Sequence, residues 1–244
     1  MDFDSLIRTA EAIGLDAVAI TDHDTMEGAV EFQRLASSKE LALQIIPGEE
    51  KTLSDGSHLI GLFLQKQIES NDLQAAIAEI EDQGGFCLLP HPFRRNDGLL
   101  RDAVERSRLF EGRTAGFELF NAKCSYEENR KARDLLSSSL GPFGGSDAHY
   151  DCDLGESLNV IGWQTDLKTS VQLMLQRKTP SQIMGKVQRE GAPPRAYAPL
   201  YYRYRKWVRL PKSFVPLAKQ CYRWYRNQVH GVGPKPLVEV YANA

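Results

Sequence analysis

Four of the five histidines in this 244-residue chain stand at the edges of short apolar runs, each near another candidate ligand. The stretches are TDHD with Asp22 and His23, PGEE with Glu49 and Glu50, SHLIGLF with His58, LLPHPFR with His91 and Arg94, and GGSDAH with Asp147 and His149. Neutral imidazole offers a directional nitrogen, and carboxylate offers oxygens that can bridge two cations. Together they suit zinc, manganese or iron. On an extended segment, residues two apart point the same way, so Asp147 and His149 are expected to face one site from one strand end. Each motif alone has a plainer reading: a loop histidine at 23, a turn at His91-Pro92, a helix cap at Ser146-Asp147, a solvated Glu49-Glu50 pair. The joint placement of four histidines at strand edges favours a metal site. No G-x-S-x-G, Walker loop or G-x-G-x-x-G occurs, so a serine nucleophile or a glycine-rich phosphate cradle has no support.

The intervening sequence supplies the elements that must hold these residues. DSLIRTAEAIG places Leu6, Ile7, Ala10 and Ile13 on one helical face. DAVAIT then reads as a buried strand, MEGAVEFQRLASS as a helix, and LALQIIPGEE and HLIGLFL as strands. NDLQAAIAEIEDQGG is a helix started at Asn71 or Asp72, FCLLPHP and GFELFNA are strands, SYEENRKARDLLSSSL is a helix started by Ser125, and FGGSDAH closes the series. Six short strands, most separated by helices, predict a largely parallel sheet or barrel. In such folds the chemistry gathers at the C-terminal strand ends. His58, at the start of its strand, is the exception.

Hydrophobic content of 42% and charged content of 25% are ordinary for a globular chain. No apolar run is long enough to span a membrane, and the N-terminus has no secretory pattern. Cys87, Cys124, Cys152 and Cys221 form no C-x-x-C pair, which suits free thiols in a reducing cytoplasm, and they read as bystanders. The net charge of −2 conceals an asymmetry: residues 186–244 carry 12 Lys or Arg against two acids. The sequence therefore divides into an acidic body, 1–185, and a basic, aromatic-rich extension, 186–244. TPSQIMGKVQRE, entered through Thr179 and Pro180, is expected to be the helix that leads into that extension, and SFVPLAKQCYRWYRNQ a second helix within it. Its interleaved Tyr, Trp and Arg residues fit packing on the acidic body. Stacking on nucleic acid and contact with an anionic membrane surface are the rival readings.

The ordered set AITDHDT, PGEE, HLIGLF, LLPHPFR, GFELFN and GGSDAH resembles the PHP family, the polymerase and histidinol phosphatase superfamily, over about residues 1–185. The resemblance implies a distorted (β/α)7 barrel with two or three divalent metal ions at its C-terminal mouth and hydrolysis of phosphoesters. The substrate would be a phosphomonoester, a nucleotide or a short oligonucleotide. By position, Glu50 would bridge the main metal pair, His58 and His91 would complete one metal, and Asp147 would serve the other. His23 and His149 would hold an outlying third ion. Asp22 and Arg94 take catalytic positions, with Arg94 contacting substrate phosphate, and Glu118 is structural support. Divalent cations generate a nucleophile from water and offset charge at phosphorus, so no protein nucleophile is required. One departure stands out: the family opens with a strand carrying H-x-H, whereas MDFDSLI already belongs to the first helix. The expectation is an upstream segment that carries this strand. The alternative is a catalytically impaired module that binds metal or nucleic acid. A barrel acting on C–N bonds is a weaker rival, disfavoured by the T-D-H and P-G-x-E pair.

Overall fold

A computed structural model describes residues 1–188 and 237–243. Asp2 caps α1 (Phe3–Ile13) by accepting the Ser5 backbone N–H at 2.9 Å. Phe3, Leu6, Ile7 and Ala10 recur at helical spacing and are buried. They pack with Ala36, Leu43 and Ile45, which places α1 and α2 (Glu27–Ser38) against β1 (Ala17–Ile20) and β2 (Gln44–Thr52). The series continues through β3 (His58–Leu62), α3 (Leu73–Asp82), β4 (Phe86–Leu89), β5 (Ala115–Asn121), α4 (Tyr126–Ala132) and β6 (Gly141–Gly145). The six strands form one curled sheet in sequential order. Its central strands are buried on both faces. On β4, Phe86 and Leu88 join Phe143, Val171 and Leu175 on one side, while Cys87 and Leu89 join Ile80 and Phe117 on the other.

The sheet is mixed rather than largely parallel. β1–β2, β4–β5 and β5–β6 are parallel, but β3 runs antiparallel to both β2 and β4. This reversal removes the His58 exception. The start of an antiparallel strand lies at the same sheet edge as the ends of its parallel neighbours, and His58 pairs with Thr52 at the finish of β2. β2 itself changes partner along its length, pairing with β1 through Gln44–Pro47 and with β3 through Gly48–Thr52. Glu49 and Glu50 thus lie in the half of β2 that pairs with β3.

A second sheet of three antiparallel strands follows: β7 (Ser157–Ile161), β8 (Ser181–Lys186) and β9 (Leu237–Asn243), with α5 (Leu167–Leu175) between β7 and β8. The helix expected from TPSQIMGKVQRE is corrected here. Ser181, Ile183 and Gly185 face inward and their neighbours outward, a period of two that belongs to a strand. Ile183 was the one large apolar residue marking that period, too little to show it in the sequence. The division at 185/186 falls at the end of β8, and β9 pairs with β8 from Ser181↔Asn243 to Lys186↔Leu237. The helix expected from SFVPLAKQCYRWYRNQ lies outside the described residues. Among the described residues no helix is long and apolar enough to cross a membrane. Cys87, Cys124 and Cys152 are buried free thiols, and burial pushes the Cys87 thiol up to about 12, far from reactivity at neutral pH.

Candidate metal centre

Strand alternation separates the two adjacent acids of β2. Glu49 turns to one face, fully buried, and accepts the Ile68 backbone N–H at 2.8 Å. Glu50 turns to the other, toward the mouth. His58 Nδ1 lies 2.7 Å from Glu50 Oε1, and His91 Nε2 lies 3.1 Å from the same oxygen. His23 reaches in from the end of β1, with Nε2 3.9 Å from Glu50 Oε2. A parallel bridge between His23 and Glu50 fixes that approach. The rings of His23 and His58 stand 5.0 Å apart, and those of His58 and His91 stand 5.4 Å apart. Two strand ends and one strand start therefore deliver three imidazoles to one carboxylate.

The charge balance follows from this packing. Burial alone would raise the Glu50 pKa, but the close imidazoles of His58 and His91 outweigh it and hold the carboxyl well below its usual range. Burial likewise opposes a charge on His91, and the Glu50 contact overcomes it, so the His91 pKa is raised. The site stores a buried carboxylate whose compensating charge comes from imidazole.

The opposite rim is built from the β4–β5 and β6–β7 loops. Arg94 donates to Asp97 through Nε at 2.5 Å and Nη2 at 2.8 Å, and to Asp147 Oδ2 through Nη1 at 2.8 Å. Glu118 joins the two loops from β5. Its Oε2 accepts the His91 backbone N–H at 2.6 Å and Asn121 Nδ2–H at 2.8 Å, and Asn121 Nδ2 also lies 3.2 Å from Asp147 Oδ2. Burial and the Asp147 charge raise Glu118 to about 7. Gly145 is required for this arrangement, because a Cβ there would fall 1.7 Å from Glu118 Oε1. His91 and Asp147 both adopt positive φ, 30° and 50°. Non-glycine residues seldom occupy that region unless their surroundings hold them there, and the Glu118–Asn121 bonds are part of that hold.

The D-x-H expectation is corrected in its geometry. β6 ends at Gly145, and the positive φ of Asp147 breaks the extended run, so the two side chains are not aligned by strand alternation. They meet through a turn: His149 Nδ1 lies 3.0 Å from the Asp147 carbonyl and 3.4 Å from its Oδ1. The His149 ring is 6.4 Å from that of His23. Asp22 is the expected site residue that lies apart. Its Oδ2 rests against Gly28 in the first turn of α2, and its carbonyl accepts the Glu50 N–H at 3.1 Å. The sequence reading missed Asp97, which sits in RRNDG and looks like a turn acid. It passed over Asn121 within the quoted GFELFN.

The residues present fit a divalent cation. His23, Glu50 and His58 offer ligand atoms within 4.8 Å of one another, and so do His58, His91 and Asp97. The nitrogen–oxygen donor set is one that zinc, manganese and iron accept. His58 Nδ1 and His91 Nδ1 are buried without a hydrogen bond, the former despite its 2.7 Å approach to Glu50. An orphaned atom such as His58 Nδ1 is costly in a packed interior unless a ligand engages it.

The comparisons agree with this fold. An uncharacterized protein of Methanocaldococcus jannaschii is 34% identical over 119 residues, 48% of this chain and 65% of that protein. A two-domain protein of Bacteroides vulgatus containing a predicted PHP-like metal-dependent phosphoesterase superposes with a TM-score of 0.57 at 22% identity, over 74% of this chain and 60% of that one. Endonuclease Q, solved with a 27-mer duplex bearing an abasic lesion at the active site, superposes with a TM-score of 0.52 at 13% identity, over 71% of this chain and 51% of that one. The chain thus spans between about half and two-thirds of the length of these proteins. The PHP domain matches residues 1–141, more than half of the sequence, and the chain belongs to the PHP domain family.

Proposed function

We propose that this protein is a metal-dependent phosphoesterase. It would hydrolyse a phosphomonoester, a nucleotide or a short oligonucleotide by attack of activated water. The observation that carries the reading is the convergence of His23, His58 and His91 on Glu50, 3.9, 2.7 and 3.1 Å away, at a mouth rimmed by Arg94 and Asp147. Glu50, His58 and His91 would hold one divalent ion, Asp147 would serve a second, and His23 with His149 a third. Divalent ions supply Lewis acidity and lower the pKa of water.

The protein's own groups do the rest. Glu50 keeps its negative charge at neutral pH because its pKa is depressed, so it serves as ligand without first losing a proton. Arg94, fixed from two sides by Asp97 and Asp147, presents a guanidinium, whose planar fork matches phosphate oxygens. The buried bonds from Glu118 and Asn121 set the loops that carry His91 and Asp147. Positioning of this kind supplies much of the rate when the chemistry is phosphoryl transfer to water. The DNA-bound neighbour supports phosphodiesters among the substrates, and its likeness here is one of fold. Elemental analysis after dialysis, with hydrolysis of a generic phosphomonoester and a short oligonucleotide as metal is added back, tests the proposal. A metal-binding chain that releases no phosphate and cuts no oligonucleotide would defeat the enzymatic reading. A chain that binds no metal would defeat both parts.

A further inference from the structure

We infer that Asp97 is a positioning residue for the site, orienting His91 and Arg94 together. The inference rests on the metal-centre reading and deepens it. His91 is 1% exposed, and its Nδ1 has no hydrogen bond. Asp97 Oδ1 stands 3.5 Å from that nitrogen, on the opposite side of the ring from Nε2 and Glu50. A carboxylate behind a ligating imidazole fixes its tautomer and raises its basicity, so that the far nitrogen meets the ion. The same carboxylate takes two bonds from Arg94, at 2.5 and 2.8 Å. Its own main-chain carbonyl accepts the His58 N–H at 3.0 Å. One residue therefore touches two imidazole-bearing strand ends and the cation that faces phosphate.

The loop is built to hold Asp97 there. Arg94 N–H donates to the His91 carbonyl, Gly98 N–H to the Arg94 carbonyl, and Leu100 N–H to the Pro92 carbonyl, each at 2.9 Å. A Cβ on Gly98 would meet Pro92 O and Arg94 N at 2.6 Å, so the turn closes at this tightness through glycine. Glu128, at the start of α4, accepts the Arg95 N–H at 3.1 Å from outside.

Asp97 could instead be a ligand itself, since it lies in one of the two groups of clustered donors. Its two bonds to Arg94 argue for the outer role. In that role its loss weakens metal binding without removing the ion. The test is titration of the purified metal-free protein with Co(II), read by calorimetry and by the visible absorption of the bound ion. Asp97→Asn should lower Co(II) affinity about 10- to 100-fold and shift the absorption band, while Co(II) still binds with wild-type stoichiometry. Inorganic phosphate added to the Co(II) form should bind more weakly as well, because Arg94 loses its clamp. Asp97→Glu keeps the charge and should recover part of the affinity. It is also the readout if Asp97→Asn fails to fold. Wild-type affinity and an unchanged spectrum in Asp97→Asn would overturn the inference, as would loss of one bound ion, which would make Asp97 a ligand. If the wild-type chain takes up no Co(II), the metal-centre reading itself has failed.

Discussion

The inner wall of the mouth and its outer rim solve the same electrostatic problem in different ways. At the wall, Glu50 is buried and its neighbours are His58 and His91, also buried, with no arginine or lysine paired to it among the described residues. At the rim, Asp147 is paired with Arg94, a permanent cation, and His149 remains open, its side chain 44% exposed; His23, 46% exposed, reaches Glu50 from the outer edge of the wall. A histidine partner can give up its proton and turn a lone pair to a metal; an arginine partner cannot. On the proposed reading, the wall would exchange protons for metal. On the same reading, the rim would keep the guanidinium of Arg94, held between Asp97 and Asp147, beside an incoming phosphate. Asp147 has to share its carboxylate between Arg94 and any ion it serves, which predicts a weaker site there than at Glu50.

The largest effect should come from the wall. Glu50→Gln and His91→Ala are each expected to abolish metal retention through dialysis, a loss beyond the 10- to 100-fold that an outer-shell change costs. The fold should persist, because mouth residues are not core. Elemental analysis beside circular dichroism reads both. Equal metal content in His91→Ala and wild type would break the comparison at its centre. His149→Ala should leave the most tightly held ion in place and lose only a weaker one, seen as a change in stoichiometry at high metal. If it empties the site as His91→Ala does, the wall and rim are one unit.

Arg94→Met should act next in size. It leaves Asp147 and Asp97 without their cation in a half-buried setting, and removing one member of a buried pair costs about 3–5 kcal/mol. At 12% exposure of the Arg94 side chain, water relieves part of that, so roughly 2–3 kcal/mol is expected. Metal bound at Asp147 should tighten while phosphate binding weakens, a pair of opposite changes that simple misfolding would not give.

A pH series sharpens the contrast further. His91 has a folded pKa above its ordinary 6.5. It therefore contributes stability that is fully present below 6.5 and is lost as pH rises through the folded value. Glu50, depressed well below its ordinary 4.5, contributes above 4.5 and loses that contribution as pH falls through its folded value. The metal-free protein should then melt at lower temperature as pH rises through neutrality. Metal affinity should rise over the same interval, because binding displaces protons from imidazole. The gain in melting temperature on adding metal should grow with pH; a constant gain from pH 6 to about 8.5 would show that His91 is not proton-linked to the site.

How much of this was legible in the sequence follows from physical range. Helix and strand periods are local, so α1 to α4, the starts of α3 and α4, and the strands β1 to β6 stood in the pattern. The histidine motifs stood there too, because imidazole is rare and its placement at strand edges informative. What escaped depends on contacts between distant segments. The reversal of β3 needs its pairing partners. The turn at Asp147 needs the carboxylate of Glu118, which only a glycine at 145 can admit. Asp97 looks like any acid in a turn until the 91–98 loop closes on His91. β8 read as a helix because its inward side chains, Ser181, Ile183 and Gly185, are mostly small, and the burial that makes it a strand comes from Phe120 and from β9.

The smallest expected effect separates scaffold from site. Ser125 opens α4 with a reciprocal cap: its hydroxyl accepts the Glu128 N–H at 3.2 Å, while Glu128 Oε2 accepts the Ser125 N–H at 2.8 Å. The other oxygen of Glu128 holds Arg95 N–H in the loop that carries His91 and Asp97. Ser125→Ala removes one half of the cap and should cost about 1 kcal/mol, the usual value for losing a serine cap. Glu128 keeps its bonds to both backbone amides, so the loop should stay in place and metal affinity should be unchanged. Glu128→Ala removes the cap and the loop bond together, and should lower stability by a similar amount while also weakening metal binding by a few-fold. Denaturant melts and Co(II) titration of both variants read the two quantities separately. If Ser125→Ala weakens metal as much as Glu128→Ala does, the loop is held by the helix as a whole, and the Arg95–Glu128 bond is not the link between scaffold and wall.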